Sequence, residues 1–356
     1  MLHPRMISDL CRFPMWLIDE LNFSKDGSVS INGWALADRD DLMTGEIAMN
    51  GRKPDVFHRV HSPAIANVFR WHGNTEMAGY RAVFHNVEPD KEELLRFSYR
   101  GRWTKDAFNQ WQDIYFPLRA WLDRAYIEPE GARMARTQGS TKFLAYVMYG
   151  TTAASMLNAA AITYFGKSLN DFNSICDWGC GCGRLIQAIR RIAPSASLSG
   201  IDIDVDNIDW CSRNIDYAKF THVPLLPPTP FPDAHFDLLY GISVFTHLTR
   251  EAFEFWRDEL HRLVRPGGAV LVTVNRGASL VRAGNEELVL RTIATGFDDS
   301  SPDQALRDKI GDNQYYRGTF MMTSEVHNIL GARFRIRDII PQASGTSQDL
   351  VVCERL

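Results

Sequence analysis

The 356-residue chain has no run of about 18 apolar residues, so no segment is expected to span a membrane as a helix. Neither charge is in excess. The 39 Lys and Arg against 43 Asp and Glu leave a net −4, which removes the electrostatic reason to expect nucleic acid or an anionic membrane as a partner, although Arg184 to Arg191 is locally basic. Cysteines number six, at 11, 176, 180, 182, 211 and 353. The 180/182 pair has no second pair to complete a ligand set, so no metal is expected, and the thiols read as reduced, small apolar packing groups. Internal repeats and low-complexity tracts are missing. Met1 to Phe23 lacks the unbroken apolar segment of a secretory signal, because Asp9, Arg12, Asp19 and Glu20 interrupt it. A cytoplasmic location is expected, and self-association is left open.

A hydrophobic content of 45% is enough for a sizeable core, and the length suggests about two domains. Residues 1–118 read as an all-β accessory domain. Short stretches alternate at period two, among them Ser28–Ile31, Glu46–Met49, Arg81–Phe84 and Leu95–Tyr99, and turn signals such as Asn50-Gly51 separate them. Short strands at this spacing suggest a β-sandwich. Residues 119–140 read as a charged helical connector. Residues 141–356 alternate strand and helix, which implies a parallel, doubly wound α/β sheet. Residues 276–318 break that alternation and read as a helical cap above the carboxyl ends of the strands.

The segment with most chemistry is Ser174-Ile-Cys-Asp177-Trp-Gly179-Cys180-Gly181-Cys-Gly183-Arg184-Leu. A strand ends in an acid, three alternating glycines follow, and a helix begins. Glycines there let the backbone turn sharply and approach a ligand. The acid is ill suited to a phosphate and well suited to an ammonium group and hydroxyls, which points to S-adenosylmethionine. A nicotinamide-dependent dehydrogenase would need a small residue where Arg184 or Ile186 stands. A non-catalytic binding protein on the same fold is the other rival.

Asp177-x-Gly179-x-Gly181-x-Gly183 resembles the first motif of class I S-adenosylmethionine-dependent methyltransferases. Ser199-Gly-Ile-Asp202, Phe236–Tyr240 and Leu263–Gly268 resemble the family's second strand, fourth strand and the turn before the fifth, in order. The resemblance covers roughly residues 140–356. It implies a Rossmann-like methyltransferase sheet closed by an antiparallel hairpin from Arg333–Ile340 and Asp349–Cys353, with a helix before the first strand that covers the cofactor's methionine end; Tyr146 and Tyr149 on it read first as packing residues and second as part of that cover. The N-terminal part, with Ile31-Asn-Gly-Trp34 and Asn50-Gly-Arg52, is similar to β-sandwich modules fused to glycan-modifying enzymes; Trp34, Trp71 and Trp103 read mostly as core aromatics, with stacking on sugar rings as the alternative.

The expected cofactor residues are Asp177 for the amino-acid end, Gly179, Cys180, Gly181 and Gly183 by backbone, and Asp202 with Ile203 for the ribose. Asp202 stands about 20 residues beyond the loop, the usual distance for a ribose carboxylate, while Asp204 reads as a helix cap. Leu225 or Leu226 is expected on the adenine face. Gly241, Ile242 and Ser243 are expected along the pocket after the fourth strand. Methyl transfer is a direct displacement that depends on alignment and exclusion of water, with a general base when the acceptor is a hydroxyl. His247 is the candidate base, and Tyr315, Tyr316 and His327 are further candidates near the acceptor. The expected acceptor is a sugar, polysaccharide or related small-molecule hydroxyl; a peptide is the alternative.

Overall fold

The computed structural model describes residues 10–11, 13–36, 46–69, 75–88, 91–100, 110–303, 314–343 and 347–356. The N-terminal part holds β1 (Met15–Phe23), β2 (Val29–Leu36), β3 (Glu46–Met49), β4 (Val56–Val60), β5 (Gly79–Phe84), β6 (Leu95–Arg100) and β7 (Ile114–Phe116). They form two antiparallel sheets, ordered β1-β2-β5-β4 and β3-β6-β7. Alternation decides which face each presents. In β6, Leu95, Phe97 and Tyr99 turn inward, while Arg96 is exposed. The sheets meet through aromatic rings, Phe84 on Phe97 at 6.3 Å and Trp16 on Tyr99 at 5.9 Å between centroids. The Asn50-Gly51 turn forms with both residues at positive φ, as its sequence requires.

The second part contains β8 (Ser174–Trp178), β9 (Ser197–Asp202), β10 (Ala218–His222), β11 (Phe236–Gly241), β12 (Val264–Val274), β13 (Phe297–Pro302), β14 (Arg317–Met321), β15 (Phe334–Ile340) and β16 (Asp349–Arg355). Seven of these make one sheet in the order β10-β9-β8-β11-β12-β16-β15. Neighbours from β10 to β12 run parallel, and β16 and β15 are antiparallel additions. Both faces are buried. Along β12, Ala269 and Leu271 enter one hydrophobic cluster, and Val270, Val272 and Val274 enter the other. The chain winds outward in both directions from β8 and β11, which opens a crevice at their carboxyl ends.

The helix Phe143–Phe165 joins the two parts. It is apolar on nearly every side because it is enclosed on nearly every side. Thr152 Oγ1 accepts from the Tyr115 N–H at 2.9 Å, and the Tyr149 hydroxyl donates to the Ile18 carbonyl at 2.7 Å. The Tyr146 hydroxyl donates to the Cys182 carbonyl at 2.8 Å. Tyr146 and Tyr149 therefore brace the fold instead of covering the cofactor.

The insertion differs from the expected helical cap. Helices Gly277–Ala283 and Glu286–Thr295 are present, but a β13–β14 antiparallel pair follows them. The helices do not lie over the crevice. Ala278, Leu280, Val281, Leu288 and Val289 pack with Cys11, Met15, Leu36 and Phe69 of the N-terminal part, where their apolar faces find cover. Trp34 packs into the same cluster, its ring 5.4 Å from that of Phe69. It is committed to packing, which argues against a sugar platform. Trp71, Trp103 and residues 304–313 of the insertion lie outside the described residues.

Candidate active site

The loop after β8 is held by its own backbone. The N–H groups of Gly179 and Cys180 both donate to the Ile201 carbonyl of β9, at 2.8 and 3.1 Å. Gly179 has φ +75°, and a Cβ there would lie 2.4 Å from Val244 Cγ2. Conformation and space both exclude a side chain. At Gly181, φ is +51° and the N–H donates to Asp202 Oδ2 at 2.7 Å. The other oxygen of Asp202 accepts from the Asp204 N–H at 2.8 Å. Asp202 thus clamps the glycine loop to the tip of β9 while also facing the cleft. Asp204 caps the helix Val205–Asn214, accepting from the N–H groups of Asp206 and Asn207 at 3.0 and 3.2 Å.

The crevice is a cleft of about 460 Å³, and Asp177, Gly179, Cys180, Gly181, Asp202, Ile203, Ile242, Ser243, His247 and Tyr316 all line it. Asp177 is its chemical centre. Its Oδ2 is buried with no hydrogen-bond partner among the described residues. Burial pushes its pKa up to about 8, opposed by the neighbouring Tyr240 hydroxyl. Arg184, at the start of the next helix, also lines the cleft, and its Nε is likewise buried without a partner. Burial lowers the guanidinium pKa, while Asp177 is among the groups that raise it. An orphaned carboxyl and an orphaned guanidinium nitrogen in one cleft suit a ligand carrying both an ammonium and a carboxylate. Arg184 is thus part of the cleft, not of a basic surface patch.

Beyond β11, Ser243 adopts φ +61°, rare for a residue with a side chain. Its N–H donates to Thr273 Oγ1 at 2.7 Å, and its Oγ accepts from Gln348 Nε2 at 2.9 Å. His247 follows in a short helical turn. Its Nε2 is 3.5 Å from Ser243 Oγ, and its Nδ1 is 3.2 Å from Asp303 Oδ2. The imidazole lies flat on Tyr316, 4.4 Å between centroids and 6° between planes.

Four expected site residues fall elsewhere. Gly183 begins the helix Arg184–Ile192 at φ +76°, and a Cβ would meet Ile215 Cδ1 at 2.7 Å, so it serves packing and does not line the cleft. Gly241 makes room for Trp178, whose ring lies 2.6 Å from where a Cβ would stand. Leu226 is 42% exposed and outside the lining. His327 is exposed on the helix Thr323–Leu330, away from the cleft. Tyr315 lines the cleft, but its hydroxyl donates to the Leu225 carbonyl and accepts from Trp256 Nε1, a bracing role.

Sequence reasoning missed one wall altogether. Ala135 to Gly139, from the supposed connector, line the cleft, with Asn207, Trp256 and Gln348. Arg136 Nε bonds Asp204 Oδ2 at 3.3 Å, which ties the helix Gly131–Gln138 to the tip of β9. No motif marks these positions.

No helix among the described residues is long and apolar enough to cross a membrane. Residues 175–268 match the family model of a methyltransferase domain. The chain is also similar to a fatty-acid O-methyltransferase of Mycolicibacterium smegmatis, 31% identical over 100 residues, which are 28% of this chain and 36% of that protein. The match thus spans about a third of that relative's length. Among solved structures, the PH0226 protein of Pyrococcus horikoshii matches over 57% of this chain and 90% of its own, at 16% identity and a TM-score of 0.41. Human N-acetylserotonin methyltransferase, solved with S-adenosylmethionine, matches over 67% and 69%, at 16% identity and 0.38. The β8-to-β12 region of this chain is thus similar to methyltransferase domains.

Proposed function

We propose that the chain as a whole methylates the hydroxyl oxygen of a small molecule, a sugar or related polyol being the class to screen first. The observation that carries the cofactor assignment is that Asp177 Oδ2 and Arg184 Nε, both buried without a hydrogen-bond partner among the described residues, belong to one cleft. In this reading Asp177 takes the ammonium of S-adenosylmethionine and Arg184 its carboxylate. Asp202 accepts the ribose hydroxyls through lone pairs that its two backbone hydrogen bonds leave free. Val223, Ile242 and Leu248 supply apolar lining where Leu226 was expected to.

The bound cofactor supplies an electrophilic methyl group whose bond to sulfur breaks as the bond to oxygen forms, its electron pair staying on sulfur. The protein's part is to align the acceptor and to take its proton. His247 is the group available for the second task, and Tyr316 fixes its plane. Both rings belong to the wall completed by β14, so the insertion contributes to the acceptor side.

The similarity to a fatty-acid O-methyltransferase favours a second reading, in which the acceptor is a fatty acid. A carboxylate is already ionised at neutral pH and needs no base. The two readings therefore separate on one variant. Methylation of a hydroxyl acceptor is expected to fall steeply in His247→Ala. Methylation of a fatty acid is expected to persist. Screening sugars, polyols and fatty acids with radiolabelled S-adenosylmethionine, then repeating the positive reaction with His247→Ala, decides between them. No transfer to any hydroxyl would overturn the first reading.

A further inference from the structure

Resting on the hydroxyl-acceptor reading, the geometry points to Asp303 as the positioning residue of the base. We propose that its carboxylate keeps a proton on His247 Nδ1 and so leaves the Nε2 lone pair for the acceptor hydroxyl. Asp303 stands immediately after β13, in the insertion, 56 positions along the chain from the histidine it would orient.

Two backbone connections and one side-chain hydrogen bond place it there. The Asp303 N–H donates to the Tyr316 carbonyl at 3.0 Å. Tyr316 pairs with Leu248 as an antiparallel bridge. Thr319 Oγ1 donates to the Leu248 carbonyl, which anchors β14 to the same turn. Asp303, Tyr316 and the 247–248 segment therefore lie side by side through main-chain contacts, and the side chains follow. Tyr316 fixes the plane of the imidazole by stacking, and Asp303 Oδ2 sits 3.2 Å from Nδ1. Nδ1 meets no hydrogen-bond alignment in this conformation, so the contact is electrostatic. Catalytic hydrogen bonds are often loose before the substrate binds and tighten in the complex. The opposite nitrogen is the one near Ser243 Oγ.

Among the described residues, the titratable groups facing the ring from the packed elements are Asp303 and Tyr316. Tyr316 is in turn acted on by Asp202 and Asp303; burial first and these acids next raise its pKa, so it stays a neutral hydroxyl. During transfer, the acceptor's proton passes to Nε2 as the oxygen bonds the methyl carbon. The resulting imidazolium carries protons on both nitrogens beside the Asp303 carboxylate, and the added proton then leaves to solvent. A carboxylate at Nδ1 thus fixes the starting tautomer and offsets the developing charge.

The test is nitrogen-15 NMR of the full chain labelled at histidine, with S-adenosylhomocysteine bound. The His247 signals are assigned by their loss in His247→Gln. In the wild-type chain the shifts are expected to report a proton on Nδ1. In Asp303→Asn they are expected to move to a mixed or reversed tautomer, with cofactor affinity within about twofold, since neither partner touches the cofactor end of the cleft. Asp303→Glu is expected to restore the wild-type tautomer. With a hydroxyl acceptor in hand, Asp303→Asn lowers kcat about 10- to 100-fold and leaves KM for the cofactor nearly unchanged. An unchanged tautomer in Asp303→Asn, with the cofactor bound normally, overturns the assignment of Asp303 alone. Failure of the wild-type chain to bind S-adenosylhomocysteine overturns the reading beneath it.

Discussion

The cleft has two walls of different origin. One is made by the ends of β8, β9 and β11, where Asp177, Gly179, Gly181, Asp202 and Ser243 stand within a few residues of their strands. The other is assembled from the helix Gly131–Gln138, the Tyr315–Tyr316 segment before β14, and Gln348 before β16. The first wall is built by local rules. A strand tip needs a turn, the turn needs glycine, and the neighbouring strand supplies an acid to clamp it. The second wall is built by tertiary convergence, in which segments more than 170 residues apart meet because their apolar faces need cover elsewhere. In the proposed reading, the ligand's charged end falls to the first wall and selection of the acceptor to the second.

The comparison breaks most sharply at the loop. Gly181→Val puts a branched side chain at positive φ and against Thr137 of the opposite wall. Calorimetry is expected to find cofactor binding lost, while the circular dichroism of the N-terminal sheets persists. Retained binding would detach the loop from the ligand. Next is His247→Ala, where the hydroxyl-acceptor reading expects kcat to drop by about 10²- to 10⁴-fold. Cofactor affinity should stay nearly constant, because the ring belongs to the acceptor side.

A smaller effect separates two acids on the first wall. Asp202→Ala is expected to weaken cofactor binding by roughly 1–3 kcal/mol, since it removes both a ligand contact and the clamp on Gly181. Asp204→Ala is expected to cost about 1 kcal/mol of stability through the lost cap, visible in thermal melts. If the two effects change places, the register at the tip of β9 is wrong. The smallest changes lie away from the cleft. Tyr149→Phe removes the hydrogen bond to Ile18 and should cost about 1 kcal/mol of stability with no change in cofactor affinity. His327→Ala should change neither quantity.

The same contrast explains what was legible in the sequence. The sheet, its closing hairpin and the glycine loop follow from alternation and from residue types confined to one position by sterics. The Asp204 cap was readable for the same reason. Gly183 and Gly241 look like the other loop glycines in sequence, yet they make space for Ile215 and Trp178, which only the packing reveals. Leu226 was misplaced because a proline-rich segment carries no periodicity to say which leucine turns inward. The connector was legible as a helix, but its place on the cleft, and the role proposed for Asp303, left no signal, because they arise from what these residues meet and not from their neighbours in the chain. The insertion helices were recognisable as helices, but their amphipathic pattern could not name the surface that would cover them.

The central claim is that Asp177 receives a cation from the ligand, and pH tests it. Burial raises this carboxyl in the ligand-free protein to about 8. A group raised on folding stabilises the protein at low pH, and that contribution fades as pH climbs towards 8, so the ligand-free wild type should lose stability over this range relative to Asp177→Asn. Binding an ammonium requires the ionised form and releases a proton below pH 8. The decisive measurement is calorimetric titration of S-adenosylmethionine at pH 6 and pH 7. The wild-type chain is predicted to bind about tenfold more tightly at pH 7, with proton release, because the ligand's α-amine, ordinarily near pH 8, stays charged at both. Asp177→Asn is predicted to bind weakly with no such slope. Equal affinity at the two pH values, or binding undiminished in Asp177→Asn, would contradict the account.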